Sequence, residues 1–196
     1  MSLLLETIRI EEGKVMNFEY HRERMLRSAF ALGFRPSPSF PGNFIPECSV
    51  PPTGINRCRV LYNEGIVSCG VTPYVRKNIG TLKVVEARRP DYQLKYADRR
   101  AMDELFVLRE ECDDVLIVCD GMVTDTSYCN VAFERGGSWF TPASPLLKGT
   151  MRQCLLDSGT IAEEEILLAE IGEYSAVRLF NAMVPWERAW ELPIPF

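Results

Sequence analysis

A lysine, a threonine-led helix start and an arginine on a helix are the first residues here whose types suit chemistry. Lys95 stands in Leu94-Lys95-Tyr96-Ala97-Asp98-Arg99. A buried lysine loses its proton readily and forms a Schiff base with an aldehyde; released, the same amine can shuttle a proton. Leu147-Lys148-Gly149-Thr150-Met151-Arg152 opens a helical pattern, and the unpaired N–H groups and positive dipole end of a helix start suit a phosphate. Arg24, in His21-Arg22-Glu23-Arg24-Met25, offers a planar, permanently charged donor fork. Taken singly, each has an ordinary role: a surface lysine, a plain capped helix, a solvated arginine. Other chemistry is harder to build. There is one histidine, and the seven cysteines (Cys48, Cys58, Cys69, Cys112, Cys119, Cys129, Cys154) include no C-x-x-C pair. Zinc sites and Ser-His or Cys-His devices need more than that, so no metal site is expected.

The elements that must carry these residues follow from the pattern. Leu3–Ile10 and Val15–Asn17 read as a hairpin about Glu11-Glu12-Gly13-Lys14. Glu19 to Leu32 has helical spacing, with Met25, Leu26, Ala29 and Leu32 on one side and Gly33 as C-cap. Arg35 to Thr53 holds six of the 13 prolines and reads as a long irregular loop. Arg57–Tyr62, Ile66–Tyr74 and Thr81–Ala87 read as strands, and Arg88–Leu94 as a polar linker at the lobe boundary. Lys95–Glu110 is predicted helical. Val115–Cys119 and Met122–Thr124 form a hairpin on Asp120-Gly121, the strongest short-range turn signal in the chain. Val131–Phe133 and Ser138–Thr141 form another, Gly149–Leu156 a helix, and Glu165–Ile171 and Ala176–Phe180 strands. Hairpins mixed with few helices make this α+β rather than doubly wound. At 196 residues, 46% hydrophobic and 25% charged, the chain is an ordinary globular protein of one generous domain or two small lobes. A net charge of −5 argues against a nucleic-acid or anionic-membrane binder, and the longest apolar run, Val115–Cys119, is too short to span a bilayer. Without a charged-then-apolar leader, and with scattered cysteines that read as reduced thiols, a cytoplasmic location is expected.

Together, separated segments in one order resemble the class IV aminotransferase family of pyridoxal-phosphate enzymes. Glu6-Thr7-Ile8-Arg9-Ile10-Glu11-Glu12-Gly13-Lys14-Val15 with His21-Arg22-Glu23-Arg24-Met25 is similar to the family's opening strand, turn and "H-x-x-R-[LM]" helix. Leu94–Arg99 resembles its "K-x-x-N-R" motif, with Asp98 where Asn is usual. Asp120–Phe133, running through Asp125-Thr126-Ser127-Tyr128-Cys129-Asn130, resembles "G-x-[VI]-x-E-x-x-x-x-N-[IVL]-F", with Asp125 in place of Glu. Thr141-Pro142 with Gly149–Arg152 resembles "T-P … G-[IT]-[TM]-R", and Asn181-Ala182-Met183-Val184-Pro185 the last phosphate-side loop.

The resemblance implies a D-amino-acid aminotransferase-like fold of two lobes: an antiparallel-sheet N-terminal lobe, residues 1–88, and a β-barrel-like C-terminal lobe, residues 89–196, carrying the Schiff-base lysine. It implies pyridoxal 5'-phosphate held by Lys95, by Arg24 on the phosphate, by Asp125 on the pyridine nitrogen, by backbone N–H groups of Thr150 and Met151, and by Asn181. Lys-x-x-[Asn/Asp]-Arg, Gly-Thr-Met-Arg and Asn-Ala-Met-Val-Pro are most similar to the family's aminodeoxychorismate lyases. These release pyruvate and leave 4-aminobenzoate, a folate precursor. Their proton-donating threonine falls on Thr7, and Arg59 is the candidate for a substrate carboxylate, with Arg57 and Arg76 as competitors. Branched-chain or D-amino-acid aminotransferase activity, and a non-catalytic relative, are the alternatives. The family forms homodimers, and one is expected here. The chain opens just short of or inside the family's "Y-G-D-G-[VL]-F" loop, which predicts a shortened front to the substrate pocket.

Overall fold

Strict alternation of side chains along an extended chain decides the first element. The computed structural model describes residues 2–35, 40 and 51–194. In β1 (Leu4–Glu11) Leu4, Glu6, Ile8 and Ile10 are all fully buried on one face. β1 turns back through Glu12 and Gly13, both at positive φ, into the short β2 (Lys14–Val15). Helix α1 (Phe18–Ala31) follows, and its buried stripe is His21, Arg24, Met25, Ser28 and Ala29. That i, i+3, i+4, i+7 spacing lines up one face of a helix. Gly33, at φ 67°, accepts the left-handed turn that stops it. β3 (Ile55–Tyr62) and β4 (Ile66–Pro73) complete an antiparallel sheet of order β2-β1-β3-β4. Most of the proline-rich stretch 35–53, read from sequence as a loop, lies outside the described residues.

The chain divides into two compact units, Met1–Arg76 with Leu94–Asp98, and Lys77–Gln93 with Arg99–Phe196. The second holds two sheets. β5 (Leu82–Glu86), β6 (Asp114–Cys119) and β7 (Met122–Thr126) form one, in that order, with β5 parallel to β6. β6 is buried at every position, as a central strand with a continuous apolar run should be. Asp120 and Gly121 both take positive φ and close the β6–β7 hairpin, as their types predict. β8 (Asn130–Arg135), β9 (Ser138–Pro142), β10 (Ala162–Glu164), β11 (Ala176–Phe180) and β12 (Trp190–Pro193) form the other, in the order β10-β9-β8-β11-β12. α2 (Arg100–Val107) and α3 (Thr150–Asp157) complete the unit. Among the described residues no closed barrel forms: the larger sheet ends at β10 and β12. No helix there is long and apolar enough to cross a membrane.

The mixed α+β class stands, but four elements differ from the sequence reading. The predicted helix over Lys95–Glu110 begins only at Arg100; Tyr96 forms a β-bridge with Leu4 instead. The predicted strand over Glu165–Ile171 is a 3₁₀ turn from Leu168 to Glu173, preceded by β10, which pairs parallel to β9. β10 and β12, both missed by the sequence reading, are the two sheet edges, and in β12 Pro193 removes no needed ladder bond.

Candidate active site

In the first unit a carboxylate lies inside the core. Glu6 is fully buried on β1, among Leu4, Ile8 and Ile10. An unpaired charge there would be prohibitive, and α1 supplies its partners. Arg24 donates from Nε to Oε1 at 2.9 Å and from Nη2 to Oε2 at 2.5 Å. His21 Nδ1 lies 2.6 Å from Oε2. Burial pulls the Glu6 pKa upward, but the Arg24 charge and the His21 hydrogen bond outweigh it and bring it to about 2. Burial lowers the His21 pKa, and the nearby charges of Arg24 and Lys95 lower it further, against the pull of Glu6. The imidazole is therefore neutral at pH 7, and because ionised Glu6 can only accept, the hydrogen is on Nδ1.

Lys95 reaches this unit through its backbone. Leu5 N–H donates to the Lys95 carbonyl at 2.9 Å, Ala97 N–H donates to the Leu3 carbonyl at 2.8 Å, and Leu4 pairs with Tyr96. Tyr96 packs with the Leu4, Met25 and Tyr62 cluster, so the segment is anchored by its tyrosine while the half-buried Lys95 stands across from Leu5. Thr7, two positions along that same face of β1, is the direct cross-strand partner of Arg59. Arg59 is exposed, as is Arg57, which pairs with Arg9. The register thus brings Thr7 and Arg59 to one sheet face and Glu6 to the other, while the Lys95 charge is felt by His21 beside Glu6.

In the second unit the site residues gather at the end of β7 and the start of α3. The Thr126 hydroxyl accepts the N–H groups of Tyr128 and Cys129, bending the chain so that Asp125 and Asn130 meet. Asn130 Nδ2 donates to Asp125 Oδ1 at 2.7 Å and to the Leu147 carbonyl at 2.9 Å. Leu147 N–H donates to Asp125 Oδ2 at 2.9 Å. Burial raises the Asp125 pKa to about 6, with the Leu147 and Asn130 hydrogen bonds and the Arg152 charge holding it from going higher. Gly149 takes the N-cap position of α3, followed by buried Thr150 and Met151. A Cβ on Gly149 would stand 2.0 Å from Asn130 Oδ1, so this glycine is required by its neighbour.

Asn181 spends its side chain locally. Its Oδ1 accepts the N–H of Met183 at 2.9 Å and of Val184 at 3.1 Å, and its Nδ2 donates to Cys129 Sγ at 3.2 Å. It orders the loop beside Cys129. Arg152 is likewise committed, to the Pro142 carbonyl at 2.8 Å and Glu163 at 2.7 Å.

Glu6 and Asn130 were within motifs read from sequence but had no role there, and His21 and Gly149 were seen only as motif letters. One signal was available: Glu6 interrupts the apolar run Leu3-Leu4-Leu5 and Ile8 at a core-facing position, where a charge demands a partner. Nothing in the sequence marks the Asn130–Gly149 contact, because it joins residues from a strand and a loop.

The family model described as amino-transferase class IV matches residues 3–189. A Haemophilus influenzae protein of uncharacterised activity is 36% identical over 183 residues, 92% of this chain and 97% of that one. A candidate aminodeoxychorismate lyase of Schizosaccharomyces pombe is 30% identical over 180 residues, 84% of this chain and 77% of that one. The crystal structure of a candidate 4-amino-4-deoxychorismate lyase from Haemophilus somnus has 34% identity and a TM-score of 0.88, covering 94% of this chain and 98% of that one. The chain belongs to the class IV aminotransferase family.

Proposed function

We propose that the protein is a pyridoxal-phosphate-dependent lyase that converts 4-amino-4-deoxychorismate to 4-aminobenzoate and pyruvate. Family membership supports the cofactor, and the names of the Haemophilus somnus and yeast relatives support the reaction. The observation that carries the reading is the docking of the Lys95 segment on β1, the strand that carries Thr7 and, through Glu6, holds Arg24.

The donor set fits the cofactor's chemistry. Lys95 would supply the amine for its aldehyde and Arg24 a charge for its phosphate. In the second unit the N–H groups of the first turn of α3, at Thr150 and Met151, suit phosphate oxygens. Asp125, buried and held by neutral donors, is an acid whose charge is incompletely compensated. That is what a protonated ring nitrogen needs beside it. Asn181 would act by ordering the adjacent loop. When bound, pyridoxal phosphate supplies an electron sink for charge developing on the substrate carbon.

The residues of the chain then divide the work. Lys95 takes the proton from the substrate ring carbon. The ring's C–O bond to the enolpyruvyl group breaks, and aromatisation of the ring drives it. The Thr7 hydroxyl gives a proton to the departing methylene carbon, completing pyruvate. Arg59, opposite Thr7, pairs with a substrate carboxylate. A homodimer, a division into lobes near residue 88 with a barrel-like second lobe, and a cytoplasmic location belong to the same proposal.

The test is direct. Purified protein mixed with pyridoxal phosphate should develop the absorbance of a lysine-bound cofactor, and Lys95→Ala should abolish it with the fold intact. Supplied with 4-amino-4-deoxychorismate, the loaded enzyme should release 4-aminobenzoate and pyruvate in equal amounts. Amino-group transfer to a 2-oxo acid without 4-aminobenzoate would make it an aminotransferase, and no cofactor uptake would make it a non-catalytic relative.

A further inference from the structure

The buried Glu6 is the least expected group in the first unit, since neither cofactor chemistry nor proton transfer uses it. A carboxylate inside a sheet core is costly unless its lone pairs are met. Here they are met by the one side chain assigned to the phosphate. Glu6 engages the Nε–Nη2 edge of Arg24 through both oxygens, at 2.9 and 2.5 Å. Such a bidentate pair sets the plane and rotation of the guanidinium, which a single bond would not. His21, one turn earlier on α1, holds Oε2 at 2.6 Å and so prevents the carboxylate from turning about its own axis. All three residues are at most 6% exposed, so water cannot stand in for any of them.

We propose that Glu6 is a positioning residue that aims the Arg24 guanidinium at the cofactor phosphate, with His21 as its brace. The inference rests on the reading of Arg24 as a phosphate ligand. It assigns the pair a purpose beyond stability: geometric preorganisation of a phosphate site.

The two roles separate in binding selectivity. Titrate the apo-protein with pyridoxal phosphate and with phosphate-free pyridoxal, following absorbance, for wild type, Glu6→Gln and Glu6→Asp. Glu6→Gln keeps the shape and removes one acceptor from Arg24; Glu6→Asp keeps the charge and withdraws it by one methylene. Both should weaken pyridoxal phosphate at least tenfold and leave pyridoxal within about twofold. In an Arg24→Gln background, Glu6→Gln should add nothing. A merely structural role would weaken both ligands alike. A pair that only cancels charge would make Glu6→Gln bind pyridoxal phosphate more tightly. Either result overturns the proposal, and should Glu6→Gln fail to fold, Glu6→Asp reads the same contrast. Wild-type protein that takes up no pyridoxal phosphate overturns the functional reading as well; wild-type uptake with unchanged selectivity in the variants overturns the positioning role alone.

Discussion

Replacing Gly149 by alanine adds one carbon, and the structure says where it goes. The new Cβ would lie 2.0 Å from Asn130 Oδ1 and 3.2 Å from its Cγ. The backbone at Gly149, φ −68° and ψ 149°, is one that alanine adopts without strain, so the conflict is wholly with the asparagine. Asn130 must leave, and with it go the 2.7 Å bond to Asp125 and the 2.9 Å bond to the Leu147 carbonyl. Losing two buried hydrogen bonds, one to a carboxylate, costs about 2–5 kcal/mol. Asp125 would keep only the Leu147 N–H of its two close donors, so its pKa should rise further and its hold on a protonated ring weaken. Urea unfolding of the apo-protein measures the first effect, and a cofactor titration the second. The control is Asn130→Ala: with the amide gone, the added Cβ meets nothing close, and Gly149→Ala should then cost under about 1 kcal/mol, the ordinary N-cap difference. A Gly149→Ala protein within about 0.5 kcal/mol of wild type, or one equally damaged in the Asn130→Ala background, would refute the argument.

Other consequences are equally specific. Glu6, lowered from its ordinary 4.5 to about 2, contributes about 3 kcal/mol above pH 4.5 that is lost as pH falls through 2. Asp125, raised from 3.8 to about 6, has the opposite sign, a cost absent below pH 3.8 that grows to about 3 kcal/mol by pH 6. Stability curves against pH should therefore converge with those of Glu6→Gln at low pH, and diverge from those of Asp125→Asn between those limits; parallel curves would contradict both. Thr7→Val should leave stability within about 0.5 kcal/mol, since valine suits a strand, while lowering turnover about a hundredfold; Thr7→Ser should restore it. Asn181→Ala removes the acceptor for Met183 and Val184 N–H groups, and hydrogen exchange should show those amides opening first, with a stability loss of about 1–3 kcal/mol.

How much of this was legible beforehand depended on the range of the interaction involved. Asp120-Gly121 announced its hairpin because two residues that tolerate positive φ leave few alternatives. α1 was legible because a helix repeats its contacts every turn, so Met25 and Ala29 predicted the buried side, although Leu26, placed there with them, is exposed. Lys95 was singled out by type and motif, yet its local structure was misread. Apolar residues after it carried the helical pattern back over residues 95–99, whereas Tyr96 bridges to Leu4 of β1 and Lys95 and Ala97 bond the backbone of Leu5 and Leu3. The Glu165–Ile171 reading failed for a similar reason: short apolar runs do not distinguish a strand from a packed turn.

By itself the sequence determined the chemical inventory: a candidate amine, acid and phosphate-gripping arginine, in an order shared with one family, and the hairpins and helices that carry them. Only the tertiary structure decided that Arg24 is steered by Glu6 and His21, that Asn130 clamps Asp125, and that Gly149 must have no side chain. Local propensity is a property of neighbours along the chain. Burial, which makes a carboxylate choose its partners and turns one methyl group into a collision, exists only once distant segments have packed together.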